Sequence, residues 1–274
     1  MQPKLIAKER VAFERVESVL GNDVPRLLAA AEFGERGALK FSFATMGRGR
    51  VRTLKGLYEG GVDLPTWTRI LDEVFGEVLA RFADAACYEP CALLEHYGFR
   101  PSHAKSVAAN VAAIVGPDSD EGASLVAFYR DVLPTLTTTR EHHYVGYVHG
   151  DLNGANVLLD ARDNVWIIDF AHTARRHALN DLVKLENDLL FLFQRLESDE
   201  ALADARRVID VLVDVQDLGK PLPDAVPGVR DAEVARAYAA VRVLRSHAKR
   251  YCREDAHPLQ WSVAALRYSA HTLS

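Results

Sequence analysis

Tyr147-Val-His-Gly-Asp-Leu-Asn-Gly-Ala-Asn-Val-Leu-Leu-Asp-Ala-Arg-Asp-Asn-Val-Trp-Ile-Ile-Asp-Phe170 decides how this chain is read. Two short apolar runs, Val157 to Leu159 and Val165 to Ile168, are rich in β-branched residues and bounded by polar turn formers. They predict a β-hairpin whose loop is Asp160 to Asn164. Asp151 and Asn156 stand before the first strand and Asp169 after the second, so the hairpin brings Asn156 and Asp169 to one edge. An amide oxygen and a carboxylate are hard ligands suited to Mg2+, which takes one or two protein ligands together with phosphates. The Asp151 carboxylate can accept a hydroxyl proton. A positioned base and oxygen ligands for magnesium are what phosphoryl transfer asks of a protein. Gly150 and Gly154 let the loop turn tightly beside a substrate.

Asp, Asn and Gly are also ordinary loop formers, and Asp-Leu-Asn-Gly by itself reads as a turn. A calcium loop of the form D-x-[DN]-x-[DN]-G needs Gly at its sixth position, where this chain has Asn156. The functional reading rests on the combination: His-Gly-Asp, an Asn five residues after the Asp, strand, turn, strand, then Ile-Asp-Phe.

At these residues the chain resembles the aminoglycoside phosphotransferase and choline kinase branch of the protein-kinase-like superfamily. That branch writes its loop His-Gly-Asp-x-x-x-x-Asn, matched here by His149, Gly150, Asp151 and Asn156. Asp169-Phe170 stands where the metal-binding D-F-G would stand. Ile168 to Thr173 and Asn180 to Leu190 look like a narrower group, the kinase-like ternary-complex-associated domains of bacterial multi-component conflict systems. The match covers about residues 145 to 195 and is loose elsewhere. The resemblance implies ATP and Mg2+ as cofactors, Asp151 as base, and Asn156 and Asp169 as metal ligands. His149 reads as a brace for the loop. In the phosphotransferase pattern an aspartate near Asp181 also braces the loop; helix capping by Asn180-Asp181 is the alternative. Glu9 matches the helix glutamate that pairs with a phosphate-clamping lysine; a solvated helix charge is the alternative.

The chain has 274 residues, enough for one large domain or two lobes. Its 49% hydrophobic and 26% charged content are those of an ordinary globular protein. A net charge of -5 makes no case for nucleic acid. Cys87, Cys91 and Cys252 are too few for a disulfide framework and fit a reducing compartment. Cys87 and Cys91 are spaced to face one another on a helix, which makes a poor zinc site without neighbouring ligands. No signal peptide and no apolar run of membrane-spanning length is read, so the expected setting is the cytoplasm.

Along the chain, residues 5 to 20 predict an amphipathic helix ended by Gly21-Asn22. Arg26 to Phe33 and Ala38 to Ala44 predict two strands, the second alternating Leu39, Phe41 and Phe43 with Lys40 and Ser42. Met46 to Arg50 reads as a basic connection. After Leu64-Pro65, a stripe from Trp67 to Phe82 predicts a long core helix. Residues 88 to 122 are the least readable. Helices are predicted over about Ala123 to Leu136, from Asn180 through Leu196, Asp231 to Arg250 and Pro258 to Thr272, with a loop from Gly219 to Gly228.

The expected fold is α+β and protein-kinase-like. A truncated small lobe of helix plus β-hairpin spans residues 1–45, and a mainly α-helical large lobe with the catalytic loop spans residues 46–274. The expected function is Mg-ATP-dependent transfer of a γ-phosphoryl group to an unknown hydroxyl acceptor. One departure qualifies it: only eight residues precede Glu9, with no Gly-rich loop or strand lysine among them that fits. A missing N-terminal segment or a protein partner would then complete the small lobe. The alternative is a non-catalytic pseudokinase interaction module of a bacterial multi-component complex.

Overall fold

Ile6, Glu9, Phe13, Val16 and Leu20 recur at helical spacing and form the buried stripe of helix α1 (Pro3–Leu20). Four of the five are apolar; Glu9 is the exception. The chain is described by a computed structural model over residues 3–20, 24–34, 36–42, 50–99, 101–116, 119–136 and 141–272. The predicted helix end at Gly21-Asn22 and the connection Met46 to Gly49 lie outside them. After α1, strands β1 (Leu27–Phe33) and β2 (Arg36–Phe41) pair antiparallel, with Phe33 opposite Arg36. Strand β2 begins two residues earlier than the predicted Ala38, and Phe43 and Ala44 of the predicted strand lie outside the described residues. Phe41 packs edge-on against Phe13 at 5.0 Å, tying the hairpin to α1.

Strand β3 (Arg52–Thr53) leads into helix α2 (Leu54–Glu59), and Asp63 caps α3 (Leu64–Leu71) through the Thr66 N–H at 2.8 Å. The predicted long helix continues from α3 through a wider π-type turn, Asp72–Val78, into α4 (Ala80–Asp84). Its stripe from Trp67 to Phe82 is buried as core. Strand β4 (Cys87–Cys91) follows, so Cys87 and Cys91 lie on a strand rather than a helix, one exposed and one buried. Helices α5 (Leu93–His96), α6 (Pro101–Val115), α7 (Asp120–Ala127) and α8 (Leu133–Leu136) lead to β5 (Glu141–Val148). Strand β6 (Val157–Leu159) and β7 (Val165–Ile167) form the predicted hairpin, and β3 extends it to three strands. Strand β8 (Ala174–His177) joins β4 and β5 in a second three-stranded antiparallel sheet.

The remaining chain is helical: α9 (Asn180–Asn187), α10 (Asp199–Val213), α11 (Ala232–Ser246), α12 (Ala248–Cys252) and α13 (Leu259–Thr272). Helix α9 passes into a π-type turn that stops at Leu192, short of the predicted Leu196. Helix α10, which the sequence reading left out, is capped by Ser198 through the Ala201 N–H at 3.0 Å. Helices α3, α9 and α11 share the main core, where Trp67, Leu182, Leu185, Val241 and Leu244 are buried. Among the described residues no helix is long and apolar enough to cross a membrane.

The β6–β7 hairpin owes its shape to Asp160, which is fully buried. Its carboxylate accepts from Arg162 N, Asn164 N, Asn164 Nδ2 and Trp166 Nε1 at 2.8 to 3.3 Å. Burial alone would raise its pKa, but these hydrogen bonds hold it down to about 2. Asp160→Ala is therefore expected to cost about 2–4 kcal/mol, because it removes four hydrogen bonds made to one charged carboxylate, read as a lower Tm. A carboxyl depressed by folding stabilises above its ordinary value of 3.8, and that contribution is lost as pH falls through about 2. The wild type should thus lose stability over that acid window more steeply than Asp160→Ala.

Candidate functional site

Strand β5 delivers the chain to His149 at the start of the loop. The His149 N–H donates to Asp181 Oδ2 at 2.7 Å and the Gly150 N–H to Oδ1 at 2.9 Å. Asp181 is 4% exposed, and α9 begins after Leu179 with no side-chain cap. Of the two sequence readings of Asp181, capping is excluded by this geometry; the carboxylate holds the loop backbone. The buried His149 ring makes a 2.8 Å hydrogen bond through Nε2 to the Ile168 carbonyl, and its Nδ1 accepts from the Asp151 N–H at 3.4 Å. Nε2 therefore carries the proton, and the ring links the loop to the strand end beside Asp169. Gly150 has φ +87, and a Cβ there would stand 2.3 Å from the His172 carbonyl oxygen, so no side chain fits.

Asn156 donates its amide N–H to the Asp151 carbonyl at 2.9 Å, and its backbone carbonyl accepts from Ile168 N at 3.0 Å. The first bond orients the Asn156 side chain with its nitrogen toward Asp151, leaving its oxygen as the ligand atom. The second sets Asn156 opposite Ile168, one residue from Asp169. Asp169 is exposed and sits in the left-handed region at φ 64, ψ 64. A non-glycine residue held there is strained and aimed by its surroundings.

Phe170, 2% exposed, anchors that bend. Its ring lies 4.8 Å from His149 and 6.1 Å from Phe13. With the Phe13–Phe41 contact, a column of rings runs from the loop to the β1–β2 hairpin. Beside it opens a cavity of about 380 Å³, lined by Glu9, Phe13, Phe41, Leu158, Ile168 and Asp169 among others. Its walls are largely apolar, and among the described residues no lysine or arginine lines it. Glu9 is 8% exposed, so it is not the solvated charge that one sequence reading allowed. Burial, and then the neighbouring Asp169 charge, raise its pKa.

A carboxyl raised by folding contributes stability at low pH and loses it as pH rises through the folded value. Glu9→Gln is therefore expected to raise the Tm of the free chain near pH 7, with the gain vanishing below the ordinary value of 4.5. Parallel thermal melts across that range check it; a lower Tm at pH 7 would mean that Glu9 already has a cationic partner.

Asp188, which the sequence reading passed over, also belongs to the site. It is 1% exposed, pairs with Lys184 Nζ at 2.8 Å, and has the Gly154 N–H as a further donor. Burial raises its pKa, and the charge of nearby Asp151 adds to the rise. The available signal was an acid four residues after Lys184, the spacing of one helix face. Among the described residues no three His, Cys, Asp or Glu side chains form a metal cage. A pair such as Asn156 and Asp169 would hold magnesium only together with substrate phosphates, and their free oxygens fit that role.

Residues 114–274 match the family Ternary complex associated domain 9. The chain belongs to that family. No curated protein matches it. Among solved structures, this family member resembles a glucosamine kinase in complex with glucosamine, ADP and inorganic phosphate. The TM-score is 0.53 at 16% identity, over 99% of this chain and 67% of that one. A second crystal form of glucosamine kinase matches at TM-score 0.52 and 18% identity, over 99% of this chain and 63% of that one. The chain spans about two thirds of the length of these neighbours. The shared feature is the fold, which is α+β and protein-kinase-like.

Proposed function

We propose that this chain is a phosphotransferase that moves the γ-phosphoryl group of ATP to a hydroxyl. The observation that carries the reading is the pair of hydrogen bonds that tie Asn156 to Asp151 and to Ile168, the residue before Asp169: Asn156 Nδ2 to the Asp151 carbonyl at 2.9 Å and Ile168 N to the Asn156 carbonyl at 3.0 Å. Asp151 takes the acceptor proton. Asn156 Oδ1 and the Asp169 carboxylate would hold magnesium, which would supply positive charge to neutralise the phosphates. The apolar cavity beside Asp169 receives the base of the nucleotide, with Phe13, Phe41 and Leu158 as its walls. Asp181, His149 and Phe170 keep the loop in place. We assign residues 1–45 to a small lobe and 46–274 to a large one, in a cytoplasmic protein. Incubation with radiolabelled ATP and a panel of aminosugars and other alcohols tests the reading. Mg2+-dependent labelling of an acceptor is expected; labelling that survives Asp169→Ala contradicts it.

A second reading is favoured by one observation, the lack of a described cation on the cavity wall that holds Glu9 and Asp169. In it the chain is a pseudokinase interaction module, or gains its phosphate-gripping lysine from an N-terminal segment or a partner protein. A ligand bound only by the folded state stabilises it by RT ln(1 + [L]/Kd), about 2.7 kcal/mol at a hundredfold excess over Kd. A clear rise in Tm with millimolar Mg-ATP for this chain alone supports the self-sufficient enzyme. A rise only when a partner is added supports completion in trans, and none in either supports the pseudokinase.

A further inference from the structure

Helix α10 (Asp199–Val213) carries two apolar stripes, and only one of them is covered. Ala201, Val208 and Leu212, with Asp204, face the core and are buried. Leu202, Ile209 and Val213 form the second stripe; Leu202 is 42% and Val213 70% exposed, and Ile209 is half-buried. With Arg206 among them the positions step by four, three and four, the repeat of a seam between helices. The chain that follows α9 enlarges this patch with Phe191, 47% exposed, and with Leu196, also exposed. Phe191 stands between two largely apolar hollows of about 290 and 300 Å³, and Leu190, Phe191 and Ile209 line both. Contiguous exposed apolar surface of this kind marks an interaction site.

The charges on the open stripe say what covers it. Arg206 and Asp210 both line the first hollow and both are exposed. They stand one helical turn apart, yet among the described residues neither joins an ion pair. A two-fold axis crossing α10 at the level of Val208 lies midway between them. It sets Arg206 of one copy opposite Asp210 of a second copy, and does so twice. The same rotation brings the two Ile209 side chains together beside the axis and sets Leu202 of each copy near Val213 of the other. An isologous interface requires this self-complementarity of one patch, and opposite charges placed to meet across it fix the register.

We propose that a second copy of this chain docks on this face, forming a two-fold dimer in which α10 packs antiparallel to its counterpart and two Arg206–Asp210 ion pairs close the seam. The dimer does not depend on the phosphotransferase reading.

Sedimentation equilibrium of the full chain over a range of concentrations tests it. The wild type is expected to dimerise with a Kd on the order of micromolar. Arg206→Asp and Asp210→Arg each set like charges opposite one another at both pairs, so each variant alone should dimerise at least about tenfold more weakly. Mixed in equal amounts the two should pair with each other as tightly as the wild type does with itself, since one copy then presents two aspartates and the other two arginines. Val213→Glu should also weaken the dimer, by placing a charge in the apolar seam. These side chains are exposed, so thermal melts of the dilute variants should match the wild type and exclude misfolding as the cause. A wild type that stays monomeric at about 100 μM, where a micromolar dimer would be nearly complete, overturns the proposal and leaves the face to a different protein. A dimer that both charge reversals leave intact, or weakened variants that fail to pair when mixed, overturns it as well.

Discussion

Replacing Asp151 by asparagine is expected to lower phosphoryl transfer by roughly 10^2- to 10^4-fold, the usual worth of a positioned general base. The backbone around Asp151 explains why the loss should fall on turnover. Its N–H bonds to His149 Nδ1 and its carbonyl accepts from Asn156 Nδ2, and both belong to the main chain at 151. An asparagine there keeps them, so the loop, the magnesium ligands and nucleotide affinity should change little. The rate is read from transfer of label from ATP to an acceptor, with KM for ATP measured alongside. An unchanged rate would remove Asp151 from the role of base. A large rise in KM alone would make it a binding residue.

The second large effect lies in the core. Arg245 donates to both Glu186 oxygens at 2.6 and 2.8 Å, and the two side chains are 8% and 5% exposed. The guanidinium also stacks over Trp261, 4.7 Å from its ring centre. Arg245→Ala strands a buried carboxylate and is expected to cost about 3–5 kcal/mol. For a chain of this size that is a fall in Tm of roughly 6–20 °C. Replacing both partners, Arg245→Met with Glu186→Leu, should restore most of the loss, because the penalty is the unpaired charge rather than the missing attraction. A drop below about 2 °C for Arg245→Ala, within the scatter of ordinary surface changes, would mean that Glu186 finds water or another donor.

What could be read from the chain alone follows the range of the interactions involved. The β6–β7 hairpin is a local structure with its turn residues in sequence order, and Asp160 to Asn164 marked its loop. Helix α1 and the β1–β2 pair were likewise legible from period and alternation. Strand β4, Cys-Tyr-Glu-Pro-Cys, carries a proline and a charge, and β8, Ala-Arg-Arg-His, has no apolar alternation. Both are strands because β5 pairs with them, and such pairing outweighs local preference. Helix α10 did carry a signal, Ser198 at its cap with Val208 and Leu212 on its buried side.

Within the site, residue type and spacing singled out Asp151, Asn156 and Asp169 and, as braces, His149 and Asp181; Asp188 was not singled out. Asp181 could not be told from a cap, since an acid at a helix start serves either purpose; its bonds to two loop N–H groups decide it. Glu9 could be read as a kinase-like helix glutamate or as a solvated charge; α1 buries it, and the Asp169 charge acts on it.

The most direct test of the phosphotransfer site uses Mn2+ as a paramagnetic stand-in for magnesium, added with ATP to the isotopically labelled chain. Relaxation enhancement falls off steeply with distance from the metal, so it maps the ion even where affinity is weak. The account predicts that amides of residues 150–157 and 168–171 broaden first, that this broadening requires ATP, and that Asp169→Asn abolishes it. Broadening that is diffuse, centred elsewhere, or unchanged in Asp169→Asn would contradict it.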